Sequence, residues 1–296
     1  MLSVKFKNHL HLHFLVFIAG FTGVLGELIS LEAIPLVWYR MLIALIMMFI
    51  FIKLRNIRLA ISIASFIKFF FAGFFIALHW ITFFAAIKLS NISITLAMFS
   101  TGAFFASLIE PIIHKRKIIN YEILFGFVVV VAVFMIVHTK IEYIFGITLG
   151  ILSAFFASLF SVMNGKFVEL YSPSVISFYE FISGVFIISI FLSFSDNGFD
   201  VSFFNISIAD WIYLLILASV CTAYAFIGSI YVMRYITPYS VVLTYNLEPI
   251  YGFSLAVIFF PNTELMSPLF YFGTGIIIAT IVLNGFIKHK TGKINF

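Results

Sequence analysis

The sequence predicts an all-α integral membrane protein of ten transmembrane helices, arranged as two five-helix repeats of inverted topology. Three observations predict it. Hydrophobic residues fill 63% of the 296 positions and charged residues 10%, too little polar surface to coat a water-soluble globule of this size. Apolar runs of roughly 18–22 residues recur along the chain, each long enough to cross a hydrocarbon core of about 30 Å as a helix. The second half also echoes the first in the order a duplication requires.

In chain order the runs place helices near 12–30, 34–53, 67–87, 92–113, 121–139, 143–164, 174–194, 208–230, 237–260 and 268–287. The first follows Lys5 and Lys7, an opening that resembles a signal peptide. No small-x-small site closes it, and its polar tail of Gly23, Gly26 and Glu27 suits a retained helix. The second and seventh begin at Pro35 and Pro173, and the ninth carries Pro249 in its interior. Linkers are short, the longest being the Ser/Asp/Asn/Gly-containing stretch from Ser195 to Ser207, which reads as an exposed loop.

With both termini in the cytoplasm, that side receives Lys5, Lys7, Lys53, Arg55, Arg58, Lys68, Lys115, Arg116, Lys117, Lys166, Arg234, Lys288, Lys290 and Lys293. The outer side receives only Lys88 and Lys140, with Arg40 left inside a helix. This is the positive-inside pattern of a multi-pass protein of the inner or plasma membrane, and it requires an even number of spans. The net charge of +5 is therefore a topology signal, and no nucleic-acid partner is expected.

The repeat appears when the chain is divided into 1–140 and 141–296. "IPLVWYRMLIALIM" lies over "SVISFYEFISGVFI", pairing Tyr39 with Tyr179 and Arg40 with Glu180. "KLSNISITLAMFSTG" lies over "RYITPYSVVLTYNLE", pairing Lys88 with Arg234 and Gly102 with Glu248. Five helices per half is an odd number, so the second half crosses the membrane in the opposite sense.

The stretches "VWYRMLIALIMMF", "ALHWITFFAAIKLSNISITLAMFSTGAFFASLIEP" and "YAFIGSIYVMRYITPYSVVLTYNLEPIYGFSLAV" resemble the drug/metabolite transporter superfamily, and within it the ten-helix EamA family. The resemblance implies an exporter or exchanger of small metabolites such as amino acids, with a central cavity between the two halves.

The candidate solute-binding residues are Arg40, His79, Trp80, Ser100, Thr101, Tyr245, Asn246 and Glu248. Glu248 sits near the middle of the ninth helix, where an ionised carboxylate costs at least about 3 kcal/mol and must be paired, protonated or facing a wet cavity. The following Pro249 interrupts the helix beside it. Arg40 lies within the outer half of the second helix, where it either snorkels to lipid phosphates or meets a substrate carboxylate or Glu248. His79 and Trp80 offer a polar atom and an aromatic wall. Ser100 and Thr101 fall at the level of Asn246, although hydroxyls in such helices often bond only to the preceding turn. Glu180 and Glu248 are the proton-coupling candidates.

No catalytic constellation is visible, since the intramembrane acids are single and far apart. His79, the single histidine of its helix, makes no metal site, a single cysteine, Cys221, makes no intrachain disulfide, and no cofactor is expected. The expected partners are a small-molecule solute and the lipid bilayer, with monomer and homodimer both open. A solute-binding receptor without transport is the alternative reading, and an intramembrane enzyme the more distant one.

Overall fold

The computed structural model describes residues 4–115, 117, 120–196, 198–245 and 247–290. Every regular element among them is helical. In order these are α1 (Val4–Leu28), α2 (Ala33–Leu54), α3 (Ile63–Leu89), α4 (Ile92–Phe99), α5 (Gly102–Ile113), α6 (Asn120–Thr139), α7 (Ile144–Phe167), α8 (Pro173–Phe194), α9 (Val201–Phe204), α10 (Ile208–Ala218), α11 (Ala225–Val232), α12 (Pro238–Tyr245), α13 (Glu248–Phe259), α14 (Pro261–Glu264) and α15 (Pro268–Lys290). A 3-10 turn, Ile141–Tyr143, leads into α7, and a π-helical turn, Ser219–Tyr224, joins α10 to α11.

A chain this apolar has to satisfy its backbone within each segment, which a helix does and an open strand does not. Among the described residues eight helical segments are long and apolar enough to cross a membrane. α6 and α15 hold shorter apolar stretches, Leu124–His138 and Pro268–Thr280, within backbones of 20 and 23 helical residues. The outward faces of the bundle's helices carry large apolar side chains such as Phe127, Phe134, Phe145, Phe186 and Ile258, as a lipid-facing surface requires.

Several boundaries differ from those read in the sequence. α1 starts eight residues before position 12, because hydropathy marks where the hydrocarbon begins and a helix continues into the polar layer. The loop at Ser195–Ser207 contains α9, whose start is capped by Asp200: its Oδ1 accepts from the Phe203 amide and the Ser202 hydroxyl. Those two bonds hold the exposed Asp200 carboxyl below its ordinary range.

The fourth span, expected to be continuous, is broken at Ser100 and Thr101. There the hydroxyls take the Leu96 and Met98 carbonyls at 3.0 and 2.7 Å, a competition that unwinds helices locally. The ninth span is broken just before Glu248. Pro249 has no amide to give the Tyr245 carbonyl, and the Ile250 amide bonds Leu247 three residues back. The two broken spans match in form, since α4 and α12 each have 8 residues and α5 and α13 each have 12. α2 and α8 each run for 22 residues.

Close helix contact depends on small residues. α3 lies along α7 and α8, and at Gly73 the backbone of α8 comes so near that a β-carbon would enter the Glu180 carbonyl. At one end of the bundle two carboxylates tie distant segments together. Asp210 accepts the Ser30 amide, the Ser30 hydroxyl and the Ser207 hydroxyl, each at 2.7 Å. Glu264 accepts the amides of Ile92 and Ser93 at 3.0 and 2.8 Å, occupying the N-terminus of α4 together with Asn91. Both donors to the Glu264 carboxylate are backbone amides, so Glu264→Gln must turn its own N–H₂ toward one of them. That substitution is expected to lower stability by about 1–3 kcal/mol, read as a lower Tm in detergent, whereas an unchanged Tm would mean the latch contributes nothing.

Candidate functional site

A cavity of about 140 Å³ lies in the interior of the bundle, lined from both halves of the chain. α1 gives Ala19 and Thr22, α2 gives Arg40, and α3 gives His79, Trp80 and Phe83. α7 gives Ser158, Ser161 and Asn164; the π turn and α11 give Cys221, Phe226 and Ser229; α12 and α13 give Tyr245 and Glu248. Aromatic rings form one part of its walls. Trp80 packs on Phe226 at 6.0 Å, Phe160 on Phe226 at 5.9 Å, and the His79 ring stacks on Phe99 at 5.4 Å.

Two charged side chains stand in this apolar chamber. Arg40 is 2% exposed and so does not snorkel to lipid. Its guanidinium lies over the Trp80 ring at 4.1 Å from the centroid, a favourable face for a desolvated cation. Nε donates to Thr222 Oγ1 at 2.6 Å and Nη2 to the Cys221 carbonyl at 3.3 Å, while Nη1 is buried with no acceptor among the described residues. Glu248 is also buried and opens α13, where the aligned amides of a helix start favour a carboxylate. No ion pair joins it to Arg40, although the two are within electrostatic range.

Tyr245, on the turn before Glu248, shares a 2.5 Å hydrogen bond with Ser229 of α11. His79 Nδ1 contacts the Ser153 hydroxyl and carbonyl at 2.9 and 3.1 Å, which ties the ring to α7 and fixes its plane. Asn246 lies outside the described residues.

Ser100 and Thr101 are not among the residues that line the cavity. They are buried in the break between α4 and α5 with their hydroxyls turned to their own backbone, and the wall at that level is made by Phe99 and Gly102. Glu180 is fully buried but does not line the cavity. Asn164, which does, donates to its Oε2 at 3.4 Å, and both Glu180 Oε1 and Asn164 Oδ1 lack a partner.

Sequence reasoning missed Thr22, Ser158, Ser161, Asn164, Cys221, Thr222 and Ser229. Ser158 Oγ, for example, donates to the Gly102 carbonyl at 2.6 Å across the α4–α5 break. Isolated small polar residues in apolar runs are common, so composition does not separate wall from packing. The repeat was the available signal, because any residue facing a broken span at Gly102 or Glu248 is a candidate.

The arrangement brings the Arg40 guanidinium and the Glu248 carboxyl group to one largely apolar, partly aromatic cavity. Among the described residues no nucleophile paired with a base lines the cavity. Among comparisons with known proteins, no curated protein matches. A solved structure described only as "Crystal structure of protein" superimposes with a TM-score of 0.69 at 12% identity, covering 94% of this chain and 97% of that one, a likeness of fold alone. The model of the EamA-like transporter family matches residues 9–138 and again 144–286. Nearly the whole chain is spanned by that double match, and the protein accordingly belongs to the EamA-like transporter family, membrane transporters of the drug/metabolite transporter superfamily.

Proposed function

We propose that the chain is a secondary transporter, exporting or exchanging small metabolites such as amino acids by alternating access around the central cavity. The observation that carries this is the juxtaposition of buried Arg40 and buried Glu248 in one cavity lined from both halves. A zwitterion is the simplest solute to meet both.

Ten spans in two inverted five-helix repeats, 1–140 and 141–296, provide the machinery. The matched lengths of α4–α5 and α12–α13 and the two consecutive family matches favour this division. Broken helices in corresponding places are where a transporter of this kind holds its solute, because helix ends there supply backbone groups to the site. Arg40, His79, Trp80, Tyr245 and Glu248 form the contacting set, with Asn246 beside them in sequence. Both termini lie in the cytoplasm of a cell whose inner or plasma membrane holds the protein, so the latches at Asp210 and Glu264 face outward.

Proton coupling is assigned to Glu248, in the cavity, or to Glu180, reached from it through Asn164. Solute-driven transport that keeps the wild-type pH dependence in Glu180→Gln removes Glu180 from that path.

Counterflow in proteoliposomes tests the function, with a panel of labelled amino acids and nucleosides and Glu248→Gln beside the wild type. Saturable exchange of one solute, reduced about tenfold or more in the variant, is the expected result. Folded, oriented protein that exchanges no member of a wide metabolite panel, while still binding one of them, would instead favour a receptor.

A further inference from the structure

The π turn in the eighth span has a specific consequence for Arg40. A π turn widens the helix by one residue and redirects backbone groups, and such turns recur at functional sites. In an α-helix the Ala225 amide would take the Cys221 carbonyl; here it bonds Val220 and Thr222 instead. The Cys221 carbonyl accepts Arg40 Nη2. Thr222 Oγ1 donates to the Leu217 carbonyl at 2.7 Å, five residues back, which commits its proton to the turn. Its lone pairs then face Arg40, and Nε takes one at 2.6 Å.

The guanidinium is therefore gripped along one edge by the turn and supported on its face by Trp80. The remaining nitrogen, Nη1, is fully buried and has no acceptor among the described residues. A buried charged donor without a partner is expensive, so a stable arrangement of this kind implies an acceptor that arrives from outside the chain.

We propose that the π turn Ser219–Tyr224 builds an anion-receiving subsite, in which Thr222 and the Cys221 carbonyl orient Arg40 so that Nη1 is kept for a carboxylate or similar anionic group of the solute. Thr222 is a positioning residue that acts through Arg40. The inference rests on the reading of Arg40 as a solute-contacting residue, and the test separates the two.

Cys221, the sole cysteine, lines the cavity beside Arg40 and reports on this spot without any solute. The full-length protein in detergent is treated with two methanethiosulfonates of similar size, one carrying a sulfonate and one a trimethylammonium group, and the rate of Cys221 modification is measured for each. The ratio of the two rates, rather than either alone, reports local potential, because access and thiol reactivity cancel. Arg40→Gln is expected to lower the anion-to-cation ratio about tenfold. Thr222→Val, which keeps the shape and loses the hydroxyl, is expected to lower it at least about threefold, and Thr222→Ser to restore it. A wild-type ratio in Thr222→Val with a lowered one in Arg40→Gln would overturn the positioning role and leave Arg40 as the anchor. An unchanged ratio in Arg40→Gln would overturn the anion subsite together with the reading beneath it. Failure of both reagents to modify Cys221 in folded protein, with full modification after denaturation, would overturn the placement of the turn on the cavity wall.

Discussion

Gly73→Val is expected to prevent assembly of the bundle. The β-carbon alone would enter the Glu180 carbonyl and press on the Ser183 side chain, and a backbone carbonyl in a packed helix has nowhere to move. Overpacking in a core typically costs about 1–3 kcal/mol even when side chains give way. Here the helices must separate, and α3 would lose its seat on α8 along with the Asn164–Glu180 contact behind it. Folded yield after detergent extraction, judged by a monodisperse elution profile, measures this. Gly275→Val is the matched control, because nothing lies within 4 Å of a β-carbon there, and it is expected to extract like wild type. A monodisperse Gly73→Val protein would show that the α3–α8 approach is not needed.

Arg40→Gln is expected to leave a folded protein that no longer holds its solute. Thr222 keeps its bond to Leu217 without the arginine, so the π turn is not dismantled by the substitution. The solute loses a charge-assisted hydrogen bond in a buried site, about 3 kcal/mol, which is roughly 150-fold in affinity. Arg40→Lys restores the charge but not the fork, since an ammonium cannot grip Thr222 and Cys221 along one edge; it is expected to recover only part of the loss. The concentration dependence of counterflow, for the solute identified with the wild type, measures both variants. Equal affinity in wild type and Arg40→Gln would remove Arg40 from the solute path.

Arg40 and Glu248 were legible in the sequence because each is a charge in an apolar run, a pattern that lipid tolerates only when the group has a partner or a cavity. Pro249 made the break before Glu248 legible as well, through its missing amide. The matching break at Ser100 and Thr101 carries no proline, and the hydroxyls of those two residues, read as wall groups, bond to their own backbone. Nothing in "SVCTAY" marks a π turn, since its bonding is completed by Arg40, 182 residues away in sequence at Thr222. The roles of Asp210 and Glu264 were not legible for the same reason: their partners at Ser30, Ile92 and Ser93 are brought to them by other segments.

The chain by itself determined its solvent, its helical class, the rough position of each long helix and the two charges that lipid does not tolerate unpaired. These follow from transfer free energies, which sum along a segment and need no knowledge of neighbours. Only the tertiary structure decided which face of each helix turns inward, so that Trp80, Asn164 and Cys221 line the cavity while Glu180 stands behind it. Rotation about a helix axis is set by close contacts such as Gly73 on Glu180, and hydrogen bonds such as Arg40 to Thr222 form only after distant helices have met.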